Sequence, residues 1–109
     1  MNNNTIDHPD YYRLPCGRDL EDFIHLCHFS FAQGSAVKYL WRAGKKDGES
    51  KEKDMNKCLH YLTYFSTHDP HGRCFAADEA VADAKKWDGK EDNVMREYIY
   101  TPEWQGLED

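Results

Sequence analysis

Four basic side chains in one short window, Lys38, Arg42, Lys45 and Lys46, are the residues of this sequence best placed to do chemistry. At 100° per residue, Lys38 and Arg42 share one stripe of a helix, and Ser35 lies beside it. Lys45 continues the stripe if the helical turn persists past Gly44. A guanidinium among ammonium groups is equipment for holding phosphate, the arginine as a bidentate donor and the lysines as point charges. Asp54 falls at the edge of the apolar arc of a following helix, in its first turn, facing the end of the preceding helix near Lys45 or Arg42. Two roles fit that place. One is a surface salt bridge aided by the helix dipole, worth ~0.5 kcal/mol. The other is a carboxylate beside a cluster of phosphate ligands. The spacing suits both.

The chain around this window is acidic, with 14 Lys+Arg against 20 Asp+Glu in 109 residues, net −6. Residues 38–57 nevertheless hold seven cations and four acids, net +3, between flanks of −3 and −6. Such asymmetry marks either an anion site or a solvated helix pair offset by its neighbours. A surface of net −6 gains little from counterion release, so no nucleic-acid partner is expected. No membrane association is expected either, because no apolar run approaches the ~20 residues that span a bilayer. The start, Met1-Asn-Asn-Asn-Thr-Ile-Asp7, lacks the basic flank and hydrophobic stretch of a signal peptide, and the expected location is cytoplasmic. Five Phe, three Trp and seven Tyr are too many aromatics for a solvated tail.

Cys16, Cys27, Cys58 and Cys74 are widely spaced and read as free thiols, Cys27 and Cys58 on apolar helix faces. His68-x-x-His71-x-x-Cys74 and His25-x-Cys27-His28 match no paired zinc spacing, and Pro70-His71-Gly72 reads as a turn, so no metal site is expected from them.

The elements that must hold the basic window are helical. The expectation is one all-α domain over residues 1–109, built on a central antiparallel helix hairpin at about 34–44 and 51–67. An N-terminal helix is expected from the capping residue Asp19 and the face Leu20, Phe23, Ile24 and Cys27. Gly44 is placed to end the second helix as its C′ residue. The third has its apolar face at Met55, Cys58, Leu59, Leu62 and Phe65. One or two C-terminal helices follow, at 75–87 and near Asp92–Ile99, although residues 98–101 also read as extended. Tyr39 and Trp41 read as packing residues and His60 as exposed.

Three blocks, His8-Pro-Asp-Tyr-Tyr12, Gly34-Ser-Ala-Val-Lys-Tyr-Leu-Trp-Arg-Ala-Gly-Lys-Lys46 and Asp54-Met-Asn-Lys-Cys-Leu-His-Tyr-Leu62, resemble in order and spacing the blocks of a small SaV-like phage protein family. The likeness covers residues 8–65 and leaves 66–109 as a C-terminal extension. Ser35 stands where that family usually has Asn. The family includes a phage nucleotide kinase that phosphorylates deoxynucleoside monophosphates without a P-loop, and this chain also has no Gly-x-x-x-x-Gly-Lys-Ser/Thr.

The resemblance implies a phage nucleotide-binding protein of the infected cell. The expected activity is transfer of phosphate from ATP to a (deoxy)nucleoside monophosphate, with or without Mg²⁺. Lys38, Arg42, Lys45, Lys46 and Ser35 would bind phosphate, and His8, Tyr11 and Tyr12 would stack on a base. Arg42 and Asp54 are the catalytic candidates, Asp54 or Asp10 holding a metal or accepting a proton. A homo-oligomer would let a small domain align two nucleotides. The alternative is a non-catalytic protein that sequesters a host signalling nucleotide. An all-α pyrophosphohydrolase fits worse: Glu49-x-x-Glu52 has the spacing of half a Mg²⁺ site, whereas Glu79 and Asp83 are four apart.

Overall fold

The computed structural model describes residues 10–45, 48, 50–94 and 97–101. Its elements are α1 (Leu20–Leu26), α2 (Phe31–Arg42), α3 (Lys51–His68), β1 (Cys74–Phe75), α4 (Ala77–Lys86) and β2 (Ile99–Tyr100), with short 3-10 turns at Asp10–Tyr12 and Glu91–Asn93. The fold is mostly helical. The all-α expectation is corrected at the C-terminal end, where β1 and β2 pair antiparallel with Phe75 opposite Ile99. Ile99 and Tyr100 form the strand, and the Tyr98 carbonyl just before it accepts from Ala76 N at 2.8 Å. Among the described residues no helix follows α4; the 3-10 turn Glu91–Asn93 precedes this strand.

Helix α2 starts at Phe31, three residues before the expected boundary, because Ser30 and Gln33 close a capping box. Ser30 Oγ accepts from Gln33 N at 3.2 Å, and Gln33 Oε1 accepts from Ser30 N at 2.9 Å. Gly34 thus lies inside the helix rather than at its start. A Cβ there would come within 3.0 Å of Ile24 Cγ2, so glycine permits the close approach of α1. The helix ends as expected: Ala43 is the C-cap, and Gly44 has φ 84°, the left-handed conformation of a C′ glycine. Ser30→Ala is expected to cost ~1 kcal/mol, since the Gln33 backbone N–H loses its acceptor. Thermal unfolding would show it as a Tm lower by about 4–8 °C; an unchanged Tm would mean that the box contributes nothing.

Helices α2 and α3 make the most extensive contact in the fold. Pairings step in opposite directions along them: Arg42 meets Asp54, Tyr39 meets Lys57 and Tyr61, and Phe31 meets Tyr61. The inner side of α3 differs from the expected arc. Asp54 and Cys58 are buried, Tyr61, Leu62 and Phe65 are half-buried, and Leu59 is 56% exposed. A charged residue took a place in the seam, and the stripe turned with it.

The C-terminal residues are knitted into the same core. Ala77, Ala80 and Ala84 recur at i, i+3 and i+7 on α4, all buried, and their small side chains let α4 approach α2. Phe23 packs edge-on against Trp87 with centroids 5.7 Å apart, and Arg18 donates to the Gly89 carbonyl at 2.7 Å. Among the described residues, no helix is long and apolar enough to cross a membrane.

Candidate functional site

On α2, Ser35, Lys38, Tyr39 and Arg42 follow at i, i+3, i+4 and i+7, the spacing of one helix face. Tyr39 is the centre of what this face assembles. Arg42 Cζ lies 4.8 Å from its ring centroid, Lys57 Nζ of α3 5.2 Å and Lys38 Nζ 5.5 Å. Tyr12, delivered by the N-terminal 3-10 turn, adds a second ring 5.9 Å from Lys38 Nζ. That turn is held down by Trp41, whose Nε1 donates to the Tyr11 carbonyl at 2.6 Å. Two like charges ~8 Å apart repel by about 0.5 kcal/mol in water and about 2 kcal/mol at an effective dielectric of 20. The ring quadrupole offsets part of this repulsion, and an anion would reverse it.

Beneath the face, Arg42 Nη2 donates to Asp54 Oδ1 at 2.7 Å, and Nε lies 3.3 Å from both carboxylate oxygens. The two side chains are 8% and 0% exposed. Hydrogen bonding to Asp54 drives the Arg42 pKa further above its ordinary value, against the opposing effect of burial. The third guanidinium nitrogen, Nη1, reaches the Tyr12 hydroxyl at 3.4 Å. Burial raises the Tyr12 pKa, and Arg42 opposes the rise. Arg42 thus offers its fork to Asp54 and not outward.

The structure therefore brings together Tyr12, Lys38, Arg42 and Asp54 from the expected set. Tyr11 stays adjacent, its ring tilted against Tyr12 at 4.6 Å. Ser35 is half-buried on the same face. Lys45 turns away: its Nζ donates to the Trp41 carbonyl at 2.7 Å and sits 4.6 Å from the Trp41 ring centroid. Burial, and secondarily the nearby Lys85, lower its pKa. Its stripe is broken because the chain leaves the helix at Ala43–Gly44. Asp10 is exposed and lies 3.8 Å from Arg13. His8 and Lys46 lie outside the described residues.

Tyr39 packs against the core as expected; what sequence reasoning missed is that its ring also faces the cations and that Lys57, seen only as part of the charge count, joins them. Lys57 is three residues after Asp54, so once Asp54 faces α2 the next turn of α3 carries Lys57 to the same side. Among the described residues, no three His, Cys, Asp or Glu side chains converge as a metal site would need. The four cysteines are free. Burial raises the Cys58 pKa and pushes that of Cys27 up to about 11, which suppresses the thiolate in both.

Comparison with known proteins supplies a family. Residues 18–63 match a family described as a protein of unknown function, DUF3310. The chain is 36% identical over 116 residues to the SaV protein of Lactococcus phage p2, an alignment covering 90% of this chain and 85% of the relative. It is 34% identical to the SaV protein of Lactococcus phage SK1 over the same shares. No solved structure matches. The family match spans α1, α2 and most of α3, and so contains Lys38, Tyr39, Arg42, Asp54 and Lys57.

Proposed function

The chain belongs to the phage family that contains the SaV proteins, small proteins of unknown function, and from this membership and the face around Tyr39 we propose that it binds a nucleotide. The observation that carries the reading is the convergence of Lys38, Arg42 and Lys57 on one tyrosine ring, with Tyr12 alongside. Cations over aromatic surface suit a ligand that is anionic at one end and planar at the other. Lys38 and Lys57 contact the phosphate, and Tyr12 and Tyr39 wall it in. The protein acts in the cytoplasm of the infected cell.

The reaction favoured by the resemblance is phosphoryl transfer. A phosphate oxygen of a (deoxy)nucleoside monophosphate attacks the γ-phosphorus of ATP, the bond to the β,γ-bridging oxygen breaks, and ADP leaves. The second ionisation of a phosphomonoester lies near pH 6, so the attacking oxygen carries no proton at neutral pH and needs no general base. Asp54, 0% exposed beneath Arg42, then acts as a positioning residue that fixes Arg42 and, through it, Tyr12. Mg²⁺, where used, is brought with ATP. Two nucleotides on one small domain favour a homo-oligomer whose copies share a site.

The deciding experiment incubates the pure protein with deoxynucleoside monophosphates, ATP and Mg²⁺ and separates bound and free pools by chromatography. New nucleoside diphosphate with matching ADP is the kinase result. A nucleotide retained without change is the result of sequestration. No retention of any nucleotide overturns the proposal. Lys38→Ala is expected to weaken retention about tenfold, the loss of one exposed charge-assisted contact.

A further inference from the structure

A groove of about 550 Å³ opens beside the cationic face, between the start of α2 and the end of α3, lined by Phe31, Tyr61, Tyr64, Phe65 and His68. Its volume falls in the range of small-molecule sites, ~300–1,000 Å³. Phe31 is 78% exposed and Tyr64 49%. Burial elsewhere in the fold does not account for these rings. Tyr64 and His68 stack at 3.9 Å and 14°, a flat platform one helical turn long.

The groove and the cations form one continuous strip. Phe31, Ser35, Lys38 and Arg42 fall at i, i+4, i+7 and i+11 on α2; Lys57, Tyr61, Tyr64 and His68 repeat that spacing on α3. Because the pairings run in opposite directions, both aromatic ends coincide and so do both cationic ends. The seam between them is the Tyr39–Tyr61 stack, 6.0 Å between centroids and 5° between planes. On each wall the aromatic residue and the lysine, Phe31 and Lys38 or Tyr64 and Lys57, are seven residues apart, ~10 Å along the helix. That is about the length of one nucleoside phosphate.

We infer that the groove of Phe31, Tyr61 and Tyr64 is the nucleobase site, with the sugar passing Ser35 and the phosphate reaching Lys38 and Lys57. The inference rests on the nucleotide reading above and assigns its ligand an orientation. It also replaces Tyr11 and Tyr12 as base platforms. The Tyr12 ring lies against Lys38 and its hydroxyl against Arg42, which places it at the phosphate end. Stacking is tolerant of base identity, since each base has a π-face. A second copy of the chain covering the same rings is the competing occupant, but it gives no reason for the lysines at a fixed distance along both walls.

The test compares wild type, Phe31→Ala/Tyr64→Ala and Lys38→Ala by calorimetric titration with deoxynucleoside monophosphates, ATP and inorganic tripolyphosphate, with light scattering for subunit count. Both groove residues are exposed, and circular dichroism checks that the double variant folds. The expected result is a loss of roughly tenfold or more in nucleotide affinity with tripolyphosphate affinity unchanged. Phe31→Trp, which keeps an aromatic face, should retain binding. Unchanged nucleotide affinity in the double variant, with Lys38→Ala still impaired, overturns the base site and leaves the nucleotide reading standing. Unchanged affinity together with a wild-type dimer that the double variant splits also overturns it and assigns the groove to a second copy. If wild type binds neither nucleotide nor tripolyphosphate, both readings fall.

Discussion

Asp54→Ala is expected to remove about 3–5 kcal/mol of folding stability, measured by urea unfolding at pH 7. The magnitude follows from burial. A surface ion pair contributes 0–1 kcal/mol because water screens it and two long side chains lose freedom. Asp54 has no exposed surface and the Arg42 side chain 8%, so deletion of the carboxylate leaves a guanidinium inside the α2–α3 seam without the charge that offsets its desolvation. Asp54→Asn keeps the shape and should still be strongly destabilising, since the amide carries no charge and turns a donor toward other donors. The double variant Arg42→Met/Asp54→Leu separates pairing from packing. Replacing a buried pair with apolar residues of similar volume is often neutral or stabilising, so it should recover most of the loss. It should bind nucleotide more weakly, because Tyr12 loses its hydrogen bond from Arg42 Nη1. A cost below 1 kcal/mol for Asp54→Ala would mean that the pair behaves as a surface bridge, and Asp54 would lose its positioning role.

Trp87→Ala should cost a similar ~3–5 kcal/mol, the usual range for deleting a large buried aromatic. Trp87 is 6% exposed. It packs edge-on against Phe23 of α1, carries the Arg18 guanidinium 4.9 Å from its ring centroid, and donates from Nε1 to the Lys90 carbonyl at 2.8 Å. The Phe23 and Arg18 contacts join the C-terminal region to the family-like part of the chain. Urea unfolding of the variant should still show one cooperative transition, at lower urea. Nucleotide affinity of the folded variant should match wild type, since none of these contacts reaches the Tyr39 face. A loss near 1 kcal/mol, or two separate transitions, would instead make residues 66–109 an independent appendage.

Local signals along the chain differ in how much of the structure they determine. Gly44 was legible as the end of α2 because a left-handed residue is needed there and glycine adopts it without strain. The start of α2 was misplaced because Gly34 looks like a boundary; the capping box at Ser30 and Gln33 carried the true signal, and only contact with Ile24 explains a glycine inside the helix. On α3, Met55, Cys58, Leu59, Leu62 and Phe65 have helical spacing, but spacing fixes a face only to within a residue or so. Asp54 entered the seam because Arg42 was opposite to pair with it, and Leu59 was turned outward.

The candidate site divides in the same way. Sequence alone set the helical frame, the basic window of 38–57 within an acidic chain, and the register that puts Ser35, Lys38 and Arg42 on one face, because the 3.6-residue period is a local property of the backbone. Tertiary structure decided which cations meet. It turned Lys45 back onto Trp41, brought Lys57 across from α3, and made Tyr39 the shared surface. It also made Arg42 and Asp54 a buried pair, where the sequence allowed either a salt bridge or a ligand set. Desolvation drew that distinction: a charge's partner and its cost depend on what surrounds it in space, and no local pattern of residues contains that information.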